Sequence, residues 1–269
     1  MSERLKEELK ERCKELGINM MGVAPADRWD DPPFLPWIPE EFRPKAIFPE
    51  GRSVVVIGLP VTLPVLETSP SIHYHQLYKT INEILDQSTY WISNFLNDRG
   101  HASLFIPRDG YGHIQLMKER ALAFFSHRHA AYLAGLGTFG LNNMVLTKEY
   151  GPRVRFGSVI TSAELPGDPV MDEKLCTRCL RCMDICPVKA IGEEDYPRSL
   201  TDKTACASRA LELAGKFASP CGFCIKVCPI GEDRKLYGRE ELDIYNEEDV
   251  RFDRYHKAWK HTRSYGSRK

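Results

Sequence analysis

The chain has 269 residues, 42% hydrophobic and 28% charged, with 37 basic and 37 acidic side chains and no formal net charge. Balanced charge with 10% aromatics excludes an intrinsically disordered chain. The missing positive surplus excludes a protein that holds nucleic acid by overall electrostatics. The longest apolar run, 54–61, is broken by Pro60 and is too short for a membrane helix.

The elements in chain order begin with residues 2–16, where Leu5, Leu9 and Leu16 share a helical face and Cys13 reads as core. This start is a charged amphipathic segment rather than an export signal, so a cytoplasmic location with no membrane partner is expected. Residues 30–50 carry six prolines and read as an extended, turn-rich connection. The β-branched run at 53–59 reads as a buried strand. Residues 71–99 read as a long helix stopped by Gly100, with Leu77, Ile81, Ile84 and Leu85 on one stripe that Trp91 and Phe95 continue. His73 and His75 stand at its start, as helix-start residues or at a pocket entrance. A strand at 103–106, a helix over 115–134 ending at Gly135, and a strand over 153–161 follow. This order predicts an α+β protein with an α/β domain at 1–165 for cofactor and substrate, a cysteine-bearing domain at 166–231, and a charged tail at 232–269.

Of nine cysteines, eight lie between Cys176 and Cys228. In a reducing compartment, clustered thiols usually hold metal rather than form disulfides. Cys176, Cys179, Cys182 and Cys186 read C-x2-C-x2-C-x3-C and precede Pro187, the bacterial ferredoxin run for a [4Fe–4S] cluster. Cys221, Cys224 and Cys228 read C-x2-C-x3-C before Pro229, and Cys206 is left to complete that set. Three thiolates on a tight loop reach three irons, and in two-cluster ferredoxins the fourth cysteine of each run crosses to the other cluster. The first cluster is therefore expected on Cys176, Cys179, Cys182 and Cys228, the second on Cys206, Cys221, Cys224 and Cys186. Ile185, Ile191 and Ile225 would shield them. A pair of four-thiolate zinc sites is the alternative, for which this spacing is poor. Two clusters in series imply one-electron transfer, fed by an electron-donor protein or other reductant.

Gly135, Gly137 and Gly140 spell G-x-G-x-x-G, but a helix-like segment precedes them and Asn142–Asn143 follow. The dinucleotide fingerprint needs a strand before and a helix after, so nicotinamide binding is set aside. A helix C-cap, or close backbone approach, is the expected use of these glycines.

The segment HRHAAYLAGLGTFGLNNMVLTKEYGPRVRFGSVIT at 127–161, followed by the two cysteine runs, resembles the cobalamin-dependent epoxyqueuosine reductases and reductive dehalogenases. The resemblance covers roughly 71–231 and more weakly 1–60. It implies a nitroreductase-like α/β domain that binds cobalamin, followed by a ferredoxin-like domain whose two [4Fe–4S] clusters reduce the corrinoid, which does the chemistry. It places Gly135, Leu136, Gly137, Gly140 and Asn142 near the corrin, with Arg153 meeting its amides or a polar substrate. Three departures from that pattern are visible. The position of the family's acidic proton donor falls on Ala121; Asp109 can serve if 110–122 is an insertion. Only 38 residues follow Gly231, too few for the helical-repeat domain of the tRNA-acting members. The export signal usual in dehalogenases is not seen.

Proton-donor candidates are Asp109, whose alternative is a solvated turn residue; His127 or His129, which do not share a helix face; and Tyr111. The expected substrate is a small molecule or a modified nucleoside. In the tail, residues 232–249 carry eight acids against three bases, and 251–269 seven bases against one acid, with Tyr255, Trp259 and Tyr265 interleaved. Bases among aromatics suit RNA, which is the sole support for a tRNA partner; the alternative is that they fold back on the acidic stretch. The leading reading is an iron–sulfur oxidoreductase; a ferredoxin-type electron carrier and a corrinoid-activating reductase serving a partner enzyme are the rivals.

Overall fold

The structure is a computed structural model that describes residues 2–30, 38–109, 114–119 and 122–265. Its centre is a four-stranded antiparallel sheet in the order β1 (Met20–Pro25), β2 (Ser53–Pro60), β6 (Val154–Thr161), β3 (Ser103–Ile106). Two further strands, β4 (Thr138–Phe139) and β5 (Val145–Leu146), form a small hairpin outside it.

Both faces of β2 are covered, which is why its sequence is continuously apolar rather than alternating. Val55 and Ile57 face α1 (Ser2–Glu15) and α4 (Ile72–Asn97), meeting Leu9, Leu85, Ile92 and Leu96. Val54 and Val56 face α6 (His127–Leu133) and meet Ala130, Ala131 and Leu133. Two short helices, α2 (Pro44–Ile47) and α3 (Leu63–Glu67), flank β2. Together with a 3-10 turn at Glu40–Phe42, α2 gives part of the proline-rich stretch regular structure.

Two sequence expectations are corrected. The α4 stripe runs through Ile81, Leu85, Ile92 and Leu96, whereas Ile84 and Trp91 are 41% and 48% exposed. The single helix expected over 115–134 is two, α5 (Ile114–Glu119) and α6. A new helix starts at Ser126 because its hydroxyl accepts the His129 N–H, and buried Phe125 anchors the chain just before it. β1 was not anticipated.

Short helices and long loops make up the cysteine-bearing part: α7 (Arg181–Asp184), α8 (Lys203–Ala214) and α9 (Phe223–Lys226). Beyond it, α10 (Asp233–Leu236) and α11 (Asp253–Ser264) belong to a folded segment. There the basic half turns back on the acidic half: Arg251 meets Glu241 and Asp249, each at 2.6 Å, and Arg263 meets Glu247 at 2.5 Å. Trp259 is buried and lies parallel to Tyr245. Arg239 and the Tyr245 hydroxyl both donate to the buried Glu67, at 2.7 and 3.0 Å, which ties this segment to α3. No helix among the described residues is long and apolar enough to cross a membrane.

Candidate functional site

The two cysteine loops are built alike. Each of α7 and α9 begins behind a residue in the left-handed region, Leu180 at φ 61° and Gly222 at φ 76°. Cys182 and Cys224 hold the second position of their helices, and Cys186 and Cys228 stand two residues past the ends. This repeat carries the third cysteine of each run inward and sends the fourth towards the other loop.

Cys176, Cys179, Cys182 and Cys228 line one small cavity, closed on the core-domain side by Gly140, Leu141, Asn142 and Leu146. Burial pushes the Cys182 thiol up to about 12, and the sulfurs of Cys228, Cys179 and Cys176 push the same way. Cys224 is raised chiefly by burial and then by Cys206, Cys221, Cys182 and Cys186. Burial raises Cys228 to about 11. The Ala190 N–H donates to Cys186 Sγ at 3.3 Å, and Leu141, Ala190 and Ile191 pack around the sulfurs. The donor set suits a cubane, whose irons each take one sulfur; zinc needs four sulfurs at about 2.3 Å from one centre. Among the described residues, no three His, Cys, Asp or Glu side chains close on a single ion.

The glycine segment serves packing. Gly135, at φ +73°, is the left-handed residue after α6, and Leu136 N–H returns to Ala131 O at 2.9 Å, a Schellman cap. A Cβ on Gly135 would lie 2.1 Å from Pro169 O, and one on Gly137 2.0 Å from Leu146 O. Leu136 packs in the α6 core. Asn142 Oδ1 accepts the Met144 N–H at 3.1 Å and shapes the β4–β5 turn. Of the six residues assigned to the corrin, Gly140 and Asn142 border the thiol cavity, Gly137 is buried, and Gly135 and Leu136 are half-buried.

Arg153 is the sixth, and it has no exposed surface. Its guanidinium donates to both oxygens of Asp233, at 2.8 and 2.6 Å, and to the carbonyls of Ile225, Cys228 and Ile230 at 3.4, 3.2 and 2.7 Å. Rather than meeting a ligand, the side chain clamps the second cysteine loop to the residue that leads into β6. Two residues on, Arg155 in β6 points elsewhere, stacking on the Tyr78 ring at 4.2 Å and reaching Asp109 at 3.4 Å.

Asp109 also faces Arg108 at 3.5 Å, so two guanidinium groups bracket its carboxylate. Burial lowers His127 to about 4, leaving it neutral at pH 7. Its Nε2–H donates to Pro107 O at 3.0 Å and its Nδ1 accepts from Ser158 Oγ at 2.9 Å, the tautomer following from the carbonyl partner. His129, lowered to about 3 by burial, bonds Ser126 Oγ at 2.6 Å and the Tyr196 hydroxyl, and Tyr196 stacks on Phe139 at 4.1 Å. This contact joins α6 to the stretch between the cysteine runs and was not anticipated, since tyrosine and histidine 67 positions apart leave no local signal. His75 Nδ1–H donates to the Ser219 carbonyl oxygen at 2.6 Å, and His73 is exposed. Tyr111 lies outside the described residues. A separate groove of about 750 Å³, lined by Arg4, Glu8, Arg99 and His101 among others, contains no cysteine.

Residues 169–192 match the 4Fe-4S binding domain family. A tetrachloroethene reductive dehalogenase of Desulfitobacterium hafniense is 26% identical over 271 residues, 82% of this chain and 47% of that protein. The epoxyqueuosine reductase of Bacillus subtilis (strain 168) is 24% identical over 270 residues, 89% of this chain and 67% of that protein. The chain's homologues are epoxyqueuosine reductases and reductive dehalogenases. A solved reductive dehalogenase, reported as suggesting a mechanism for B12-dependent dehalogenation, matches 98% of this chain and 37% of its own with TM-score 0.66 at 19% identity. The fold is thus the one these reductases share, an α/β core followed by a ferredoxin-like domain. The chain spans about half the length of the dehalogenases it matches and two thirds of the Bacillus reductase.

Proposed function

We propose that the chain is an iron–sulfur oxidoreductase of the epoxyqueuosine-reductase and reductive-dehalogenase kind, with two [4Fe–4S] clusters as internal electron carriers and cobalamin as the cofactor at which substrate is reduced. The observation that carries this reading is the grouping of Cys176, Cys179, Cys182 and Cys228 around one cavity, drawn from both cysteine runs. Cys206, Cys221, Cys224 and Cys186 hold the second cluster in this reading.

The chain's own residues act on the clusters in definite ways. The Ala190 N–H bond to Cys186 Sγ stabilises thiolate charge, which favours the reduced cluster. Arg153 binds the carbonyls of Ile225, Cys228 and Ile230 and holds that ligand loop still. Cobalamin would supply the reduction itself. Of the six residues assigned to it by resemblance, Gly140 and Asn142 border the thiol cavity, Gly135 and Leu136 are half-buried, Gly137 packs against the Leu146 carbonyl and Arg153 is held by Asp233. Neither proton-donor candidate is free: both ring nitrogens of His127 are engaged, and the Asp109 carboxylate is bracketed by Arg108 and Arg155. In the tail, Arg251, Arg263 and Trp259 are engaged within the chain, so a tRNA partner rests instead on the likeness to epoxyqueuosine reductases, one of which is solved with a tRNA stem loop.

Anaerobic metal analysis of the purified protein tests the proposal. About eight irons per chain, given four per cubane, and stoichiometric cobalt after incubation with cobalamin are expected. Eight irons without cobalt would favour the electron-carrier reading, and zinc would remove both.

A further inference from the structure

Three hydroxyl side chains crowd the turn between α3 and α4, and one of them has nothing to bond. Thr68 Oγ1 donates to Val65 O at 2.7 Å and accepts the Ser71 hydroxyl at 2.6 Å, while Ser71 Oγ accepts the Tyr74 N–H at 3.1 Å. The Ser69 backbone is engaged as well. Its N–H donates to Leu66 O at 2.9 Å, and its carbonyl accepts from Lys226 Nζ at 3.3 Å. Yet Ser69 has no exposed surface, and its Oγ has no hydrogen-bond partner among the described residues. An orphaned buried hydroxyl is costly, and a fold that keeps one normally completes it with a further group.

The turn closes on the second cysteine run. Gly222 stands between Cys221 and Cys224 at φ +76°, and a Cβ on it would lie 2.9 Å from Ser69 Oγ, 2.7 Å from the Tyr74 ring and 3.0 Å from Leu66 Cδ1. The missing side chain is what lets Ser69 come so near the loop that carries these two sulfurs. Cys224 packs against the buried group that contains Leu66, Tyr74 and Ile225. The Lys226 bond to the Ser69 carbonyl fixes the same residue to the far end of α9. An acceptor is what this hydroxyl lacks, and the sulfurs of a cubane are anionic acceptors. A hydrogen bond to sulfur offsets negative charge, and it does so most in the reduced cluster, which holds one more electron.

We propose that Ser69 donates its hydroxyl to a sulfur of the second cluster beside Gly222 and raises that cluster's reduction potential. Ser69 is a positioning and tuning residue in this role, contributed by the core domain to a cluster whose ligands all lie in the ferredoxin-like one. The inference rests on the cluster assignment proposed above. Arg209 and Lys226 are the positive groups that act on Cys221. Removing the hydroxyl leaves both in place, because Lys226 holds the Ser69 carbonyl and Arg209 pairs with Glu212.

The test is a potentiometric titration of the anaerobic holoprotein with dithionite, followed by electron paramagnetic resonance. The second cluster's signal is identified by its change in Cys206→Ser. In Ser69→Ala the second cluster should become harder to reduce by about tenfold in the reduced-to-oxidised ratio, 59 mV for a one-electron couple, with the first cluster unmoved. Ser69→Thr keeps the hydroxyl and should recover most of that shift. In heavy water, the reduced second cluster of the wild type should show a coupled exchangeable deuteron in double-resonance spectra that Ser69→Ala lacks. Fully loaded Ser69→Ala titrating as wild type, Ser69→Thr shifting as far as Ser69→Ala, both clusters shifting together, or identical deuteron coupling would each overturn the proposal. Loss of the second cluster's iron in Ser69→Ala but not in Ser69→Thr supports it, and equal loss in both overturns it. A wild-type iron count short of two clusters would instead overturn the cluster assignment.

Discussion

Replacing Asp233 with alanine should loosen the first cluster although Asp233 touches no sulfur. The Arg153 and Asp233 side chains are 0% and 5% exposed, and two hydrogen bonds join them. Removing the carboxylate leaves a guanidinium buried without its counter-charge, a change that costs about 3–5 kcal/mol. The clamp holds the carbonyls of Ile225, Cys228 and Ile230, so the loss is felt as local opening of the loop that presents Cys228. At about 1.4 kcal/mol per tenfold, opening becomes roughly a hundred- to several-thousandfold more frequent. The assay is anaerobic iron release to a chelator from loaded protein, the first cluster being followed by its resonance signal. Asp233→Ala should release that iron faster by a factor in this range. The double variant Arg153→Met, Asp233→Ala should fall short of the sum of the two single effects by at least about 1 kcal/mol, because the two side chains act as one unit. Wild-type release in Asp233→Ala, or strict additivity, would refute the clamp.

Three further outcomes are expected. Cys182→Ala should lower iron from about eight to about four per chain, and an unchanged count would mean that the ligand set is wrong. His127 ionises near pH 4 in the folded chain against an ordinary 6.5, so the unfolded chain binds its proton first as pH falls. The stability present above pH 6.5 is then lost between 6.5 and 4, by about 2 kcal/mol at pH 5; melting of His127→Asn should be flatter with pH than wild type, and equal slopes would count against the burial argument. Gly137→Ala drives a Cβ onto the Leu146 carbonyl oxygen and should cost about 1–3 kcal/mol in thermal melting, whereas Gly140→Ala meets the movable Leu146 side chain and should cost less.

What could be read from the sequence was local. The cysteine spacing is a short-range pattern, and its grouping follows from loops of a few residues around Cys182 and Cys224. The strand at 53–59 was legible because burial on both faces leaves a continuous β-branched run. β1 was not, since MMGVAP is short and contains glycine and proline, both weak strand formers. The break before α6 depended on Phe125 turning into the core, which helical periodicity does not reveal. Arg153 and Asp233 are 80 positions apart, so no motif joins them, and an arginine on a strand reads as exposed until its partner is found.

The burial that keeps the Cys182, Cys224 and Cys228 sulfurs protonated bears on how this protein is made. Iron accepts thiolates alone, so each of these groups must shed its proton to the medium as the inorganic core is inserted. Maturation is therefore favoured in alkaline surroundings and opposed in acid, steepening about tenfold per pH unit for every proton expelled.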